Sequence, residues 1–220
     1  FSEGQLEKMQ LELTKKETFL QEQALALHKT RKKIAKELEK SILTELKSLY
    51  MENTEFEVRF SSEKNGQLDA NGLDQVEFYI TTNPGEPLKP LVKGASGGEL
   101  SRMLLALKTI FSSEQGVTSI IFDEVDTGVS GRVAQAIADK ISQISCHSQV
   151  LCITHLPQVA AVADFQYYIQ KEVIDGRTQT SVTELQPTQR ETEIARMLAG
   201  SEITPLTVEH AKELLRLASK

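Results

Sequence analysis

Ser119-Ile120-Ile121-Phe122-Asp123-Glu124-Val125-Asp126-Thr127-Gly128-Val129-Ser130-Gly131 is the stretch whose reading decides the fold. Four residues, mostly apolar, run straight into two adjacent carboxylates. A short continuous apolar run reads as a strand buried on both faces, the kind found in parallel sheets. In open α/β sheets, ligands sit outside the carboxyl ends of such strands. There Asp123 can hold Mg²⁺, directly or through water, because Mg²⁺ takes few protein ligands and keeps several waters. Glu124 can orient and deprotonate an attacking water. The plainer reading is that Asp123 and Glu124 open a polar loop and cap the segment after it.

The neighbouring segments repeat the strand and helix alternation. Helices are expected at about Gly97 to Ser112 and Gly131 to Ser145, with a second buried strand at Val150-Leu151-Cys152-Ile153. That strand ends in Thr154-His155, which again places a titratable residue at a carboxyl end. Tyr167 to Ile174 and Arg177 to Thr183 flank Asp175-Gly176, a two-residue hairpin signal. Two short helices close the chain. Thr188 with Glu191 forms a capping box for the first, and Thr204 with Pro205 starts the second.

Upstream of the first helix stands Lys93-Gly94-Ala95-Ser96-Gly97-Gly98-Glu99-Leu100-Ser101-Arg102. Gly97 and Gly98 leave backbone N–H groups uncovered at a helix N-terminus, which attracts anions and phosphate above all. Ser96-x-x-Glu99 is equally a capping box, and the glycines also permit tight packing. Both readings stand at this point.

Residues 55 to 92 have a period of two. Phe56, Val58 and Phe60 alternate with Glu57 and Arg59; Val76, Phe78 and Ile80 alternate with Glu77 and Tyr79. Asn71-Gly72 signals a turn, and the prolines from Pro84 to Pro90 end the second strand. An antiparallel lobe is expected.

Residues 1 to 50 lack Pro and contain one glycine, Gly4. Leu6, Leu13, Leu20, Leu27 and Ile34 recur every seven residues, the mark of a coiled-coil seam. From Ile34 onward Leu38, Ile42, Leu46 and Leu49 follow a spacing suited to a globular body. The expected organisation is a coiled-coil arm helix over 1–50 and a folded body over 51–220.

Composition narrows the partners. The 220 residues carry 31 acidic and 25 basic side chains, a net charge of −6. Residues 1–50 hold 10 basic and 8 acidic of these, so the arm is +2 and the body −8. Broad nucleic-acid contact by the body is therefore disfavoured. Lys29, Arg31, Lys32, Lys33, Lys36 and Lys40 could touch DNA phosphates, or simply solvate the coil. No apolar run approaches the roughly 20 residues of a membrane span. Cys146 and Cys152 suit a reducing cytosol, and with His147 and His155 they match no zinc spacing. His28, His147 and His210 are read as structural.

Taken in order, the glycine-rich helix start, the strand ending Asp123-Glu124 and the strand ending in His155 resemble the ATP-binding-cassette ATPases. Ala95 to Glu99 resembles their signature motif, Ile120 to Glu124 their Walker B strand, Val125-Asp126 their D-loop, and His155 their switch histidine. The heptad arm resembles the SMC-like branch, including its DNA-repair members, rather than transporters, which carry the phosphate loop in one continuous chain. Thr154 to Ala160 and Glu193 to Gly200 extend the likeness.

That resemblance implies an α/β fold, half of an SMC-type ATPase head with an arm helix. It implies an ATP hydrolase of double-strand break repair, with ATP and Mg²⁺ as cofactors, in the cytoplasm at the nucleoid. Asp123 would hold Mg²⁺, Glu124 would be the general base, and His155 would contact the γ-phosphate. Ser96, Gly97, Gly98 and Glu99 would meet the nucleotide of a second head, with Asp126 at the interface between heads. The chain contains no G-x-x-x-x-G-K-[ST] loop. The expected partners are therefore the phosphate-loop half of the same head, a second head, and DNA, and the chain alone is expected to be inactive. A structural or DNA-tethering module with a vestigial nucleotide site is the alternative.

Overall fold

The computed structural model describes residues 3–62, 68–94, 97–112, 116, 119–123, 125–129, 131–200 and 202–219, with the side chains of 62 and 94 left aside. The chain divides into two compact units. One holds the long helix and the antiparallel sheet; nearly all of the other lies from Gly97 onward.

In the first unit, α1 (Glu3–Ser48) is a single 46-residue helix, about 70 Å long at 1.5 Å per residue. The heptad residues Leu6, Leu13, Leu20, Leu27 and Ile34 are all exposed. From near its middle onward α1 buries Ala24, Ala35, Ile42 and Leu46 instead. Strands β1 (Glu55–Ser62) and β2 (Asp74–Thr81) pair antiparallel, with Phe56 opposite Ile80 and Val58 opposite Phe78. The Asn71-Gly72 signal resolves as a tight turn in which Asp69 bridges Gly72 and Asn71 N–H donates to Asp69 Oδ1 at 2.6 Å.

One detail differs from the sequence reading. Lys89–Pro90, expected only to end the sheet, forms a third short strand, β3, on β2. Proline is tolerated there because an edge position needs no N–H from it. The short helix α2 (Leu91–Gly94) comes next.

α1 anchors to this sheet through Glu39, whose Oε1 accepts from Val58 N–H at 3.0 Å, and through a charged cluster. The His28 ring Nδ1 meets Asp74 Oδ1, and the Arg31 guanidinium donates to Asn71 O at 2.8 Å and Asp74 Oδ2 at 3.3 Å. The Asp74 side chain is almost fully buried. A buried carboxylate is tolerated only when paired in this way.

In the second unit, α3 (Gly97–Phe111) leads to β4 (Ser119–Asp123), α4 (Gly131–Ser145) and β5 (Gln149–Ile153). β4 and β5 pair in parallel, from Ser119 beside Gln149 to Asp123 beside Ile153. Ile120 and Phe122 turn inward, while Ile121, Leu151 and Ile153 are exposed on the other face. α4 buries Ala134, Ile137, Ala138, Ile141 and Ile144, one stripe at helical spacing, and packs against α3 and β5.

β5 continues into α5 (Pro157–Ala161). The hairpin β6 (Tyr167–Ile174) and β7 (Arg177–Glu184) turns on Asp175-Gly176, both at positive φ of 51° and 73°. That is the turn the dipeptide signals.

α6 (Pro187–Ala199) and α7 (Pro205–Ala218) close the chain around Ala160, Ala161, Ile194, Ala195 and Ala211. Thr204 caps α7 as expected. The capping box of α6 is not Thr188 with Glu191. Pro187 sets the first turn earlier, so Gln189 Oε1 accepts from Gln186 N–H at 2.8 Å.

Candidate functional site

The site lies at the carboxyl ends of β4 and β5. Because the strands are parallel and in register at Asp123 and Ile153, the segments leaving them must run side by side. Asp123 is the last residue of β4 and is exposed. Glu124, expected to be the base, lies outside the described residues, as do Ala95 and Ser96.

Asp126 is the centre of the observed geometry. It is 1% exposed, and its carboxylate faces the loop after β5. Thr154 Oγ1 donates to Asp126 Oδ2, and His155 N–H donates to the same oxygen at 3.2 Å. The His155 ring Nδ1 stands 3.5 Å from Asp126 Oδ1. Thr154 Oγ1 in turn accepts from Leu156 N–H at 3.0 Å, which fixes the start of α5. His155 itself is 66% exposed at the side chain. The ring is thus braced on its Nδ1 side and open on the other. The sequence alone assigns no role to Thr154; a hydroxyl residue directly before the histidine is the signal that could have marked it.

The start of α3 meets the same loop. An ideal Cβ on Gly98 would lie 2.9 Å from the Thr127 carbonyl oxygen, closer than real Cβ contacts come. Gly97 has open space around the same position. Glu99 sits in the first turn, where a carboxylate complements the helix dipole. Gly97, Gly98, Asp126 and His155 are therefore brought together by α3, the β4 loop and the β5 loop. Asp123 ends the strand beneath them.

Cys152 lies inside β5 behind this surface. Burial pushes its thiol up to about 12, and the carboxylates of Asp126 and Asp123 add to the effect. Such a thiol stays protonated at neutral pH and is a poor nucleophile. Among the described residues no three His, Cys, Asp or Glu side chains form a metal cage. One exposed carboxylate at a strand end fits Mg²⁺, which keeps waters and phosphate oxygens, and does not fit a structural zinc.

These features define a class by fold, a mixed α/β body with a long helical arm, an antiparallel sheet and a parallel strand pair. The chain resembles the Smc head with a coiled coil and joint from Pyrococcus yayanosii, with a TM-score of 0.50 at 20% identity. That likeness covers 97% of this chain and 37% of that one, and it bears on the fold alone.

In sequence, the chain is 59% identical over 219 residues to the DNA repair protein RecN of Halalkalibacterium halodurans, covering 99% of this chain. It is also 59% identical over 211 residues to RecN of Bacillus subtilis, and 43% over 189 residues to RecN of Vibrio cholerae. No family model matches. The chain belongs with the RecN DNA repair proteins over the portion it spans, about 38% of the first relative's length.

Proposed function

We propose that this chain is the signature-bearing half of an SMC-like ATPase head that acts in DNA double-strand break repair. The observation that carries the reading is the convergence of Asp123, Asp126, His155 and the Gly97-Gly98 helix start at one end of a parallel strand pair. Proteins place phosphate chemistry at such an end.

In this reading ATP is the substrate. Asp123 would hold Mg²⁺, which when bound would supply neutralisation of phosphate charge. Glu124 takes the proton of the attacking water. His155, open on its outer side, contacts the γ-phosphate of the same head. Ser96 and the N–H groups of Gly97 and Gly98 receive the nucleotide of a second head at the positive end of α3. Glu99 completes that first turn. ATP then holds two heads together because neither alone encloses the phosphates, and hydrolysis releases them.

The exposed face of β4 and β5 supports a missing half. Among the described residues Ile121, Leu151 and Ile153 are open to water on the face where parallel sheets carry a second covering layer. The phosphate-loop half of the same head is the proposed cover. No helix of the described residues is long and apolar enough to cross a membrane, and a cytoplasmic, nucleoid-associated protein is proposed. DNA is proposed to contact the arm, where Lys29, Lys33, Lys36 and Lys40 line one exposed side of α1.

The test is reconstitution. This chain alone is expected to show no ATP turnover, and addition of the phosphate-loop half is expected to give Mg²⁺-dependent hydrolysis. Glu124→Gln should stop hydrolysis while ATP-bound dimers persist on size exclusion. Robust turnover by the isolated chain would overturn the division of labour; no turnover by the assembled head would favour a tethering module.

A further inference from the structure

We propose that Asp126 is a positioning residue for His155 of its own chain, acting through the His155 backbone amide and the Thr154 hydroxyl rather than primarily across a head–head interface. This rests on the reading of His155 as the phosphate contact.

The argument starts from burial. A carboxylate that is 1% exposed needs hydrogen-bond donors to offset the loss of water. Among the described residues, Thr154 Oγ1 and His155 N–H supply them, both to Oδ2. Oδ1 faces the His155 ring, with Nδ1 3.5 Å away. Two consecutive residues of the β5 loop are thus tied to one carboxylate of the β4 loop. Thr154 passes the constraint on through Leu156 N–H, so α5 begins at a fixed place.

The consequence is a preset histidine. Its main chain is held before any nucleotide arrives, and its ring keeps Nδ1 toward Asp126 while Nε2 is left to face outward. A catalytic contact that is already placed loses less freedom in the transition state. The brace also reaches the signature helix. Thr127, the next residue after Asp126, carries the carbonyl against which Gly98 packs. Movement of the α3 start would therefore press on the loop that holds His155. One buried carboxylate links the helix start that serves one nucleotide to the histidine that serves another.

Two measurements test this. In this chain without nucleotide, amide hydrogen exchange at His155 should speed up at least tenfold in Asp126→Ala. Amides within α4 should be unchanged. Asp126→Asn keeps an acceptor for both donors and should retain the protection; it also serves if the alanine variant unfolds. In the assembled head, Asp126→Ala should lower kcat ten- to a hundredfold with KM for ATP within twofold, and Asp126→Asn should recover most of the loss. Added to His155→Gln, the alanine change should cost less than twofold further. Unaltered exchange at His155, losses that multiply in the double variant, or an asparagine variant as defective as alanine would each overturn the proposal. Wild-type turnover by His155→Gln alone would instead sink the role of His155 in hydrolysis, and the exchange result would still decide whether Asp126 holds the loop.

Discussion

A Cβ added to Gly98 would meet the Thr127 carbonyl oxygen at 2.9 Å, so the first turn of α3 and the loop after β4 touch backbone to backbone. Gly98→Ala must push one of these backbones aside. The expected cost is about 1–3 kcal/mol, typical of overpacking. Gly97→Ala meets nothing within 4 Å and should be neutral or stabilising by up to about 1 kcal/mol in a helix. Urea unfolding of both variants checks this. Equal stability would show that the loop yields freely and that Gly98 matters only for nucleotide.

The end of α1 carries a second testable feature. Met51 N–H donates to Leu46 O at 2.9 Å, the helix-ending bond usually made around a glycine. Here the residue between is Tyr50, at φ 59°. A side chain in that conformation costs about 1–2 kcal/mol, and Tyr50 is 51% exposed, so little packing offsets it. Tyr50→Gly should raise stability by about 1 kcal/mol in a urea titration. A lower midpoint would mean that the tyrosine ring contributes more than its exposure suggests.

The two cysteines should separate by reactivity. Cys146 is exposed, whereas burial holds the Cys152 thiol up at about 12. The thiolate is the reactive form, so at about pH 8 iodoacetamide should modify Cys146 and leave Cys152 intact in the folded chain. The linkage has a definite sign. An unfolded thiol ionises near about 8.5 and the folded one does not, so this group costs no stability below that pH. Above it the unfolded chain gains by losing the proton, and stability declines as pH rises toward about 12. Peptide mass mapping after alkylation reads the first point, and unfolding midpoints between about pH 8 and 10 read the second.

The arm's basic cluster divides into two groups. Arg31 is occupied by Asn71 and Asp74, and Lys36 pairs with Glu39 at 2.8 Å on the surface. Lys32 is exposed as well, and Lys29, Lys33 and Lys40 lie together on one side of α1, away from Ala24, Ala35 and Ile42. Changing these three to Glu should weaken duplex binding and make its salt dependence shallower by about two to three, since each lost phosphate contact removes about 0.9 from the slope. Fluorescence anisotropy across a salt series measures it. An unchanged slope would leave them as solvating residues. Arg31→Glu should instead destabilise the first unit, because it removes one of the two side-chain partners of the buried Asp74 carboxylate and sets a like charge beside it.

Much of this protein is legible in one dimension because its signals are local. The alternation at Phe56 to Phe60 arises from which face a strand buries; the apolar run at Ile120 to Phe122 marks a strand correctly, but the expected burial on both faces is not met, since Ile121 is exposed. Asp175-Gly176 determines its turn through the φ angles those residues tolerate. The order of the glycine-rich start, Asp123-Glu124 and His155 is also a property of the chain alone, and it suffices to suggest phosphate chemistry. The strand β3 at Lys89–Pro90 and the early start of α6 are not legible, since each depends on a neighbour or on a proline shifting a boundary.

The role of Asp126 is the clearest case of what only the tertiary structure decides. In sequence it is one polar residue in a loop, 28 positions before Thr154. Only the parallel register of β4 with β5 brings the two loops together. Only burial then obliges the carboxylate to find donors, and Thr154 and His155 are what it finds. Residue types specify which groups can bond, but long-range strand pairing selects which ones do, because hydrogen bonds act over about 3 Å and sequence distance carries no such information.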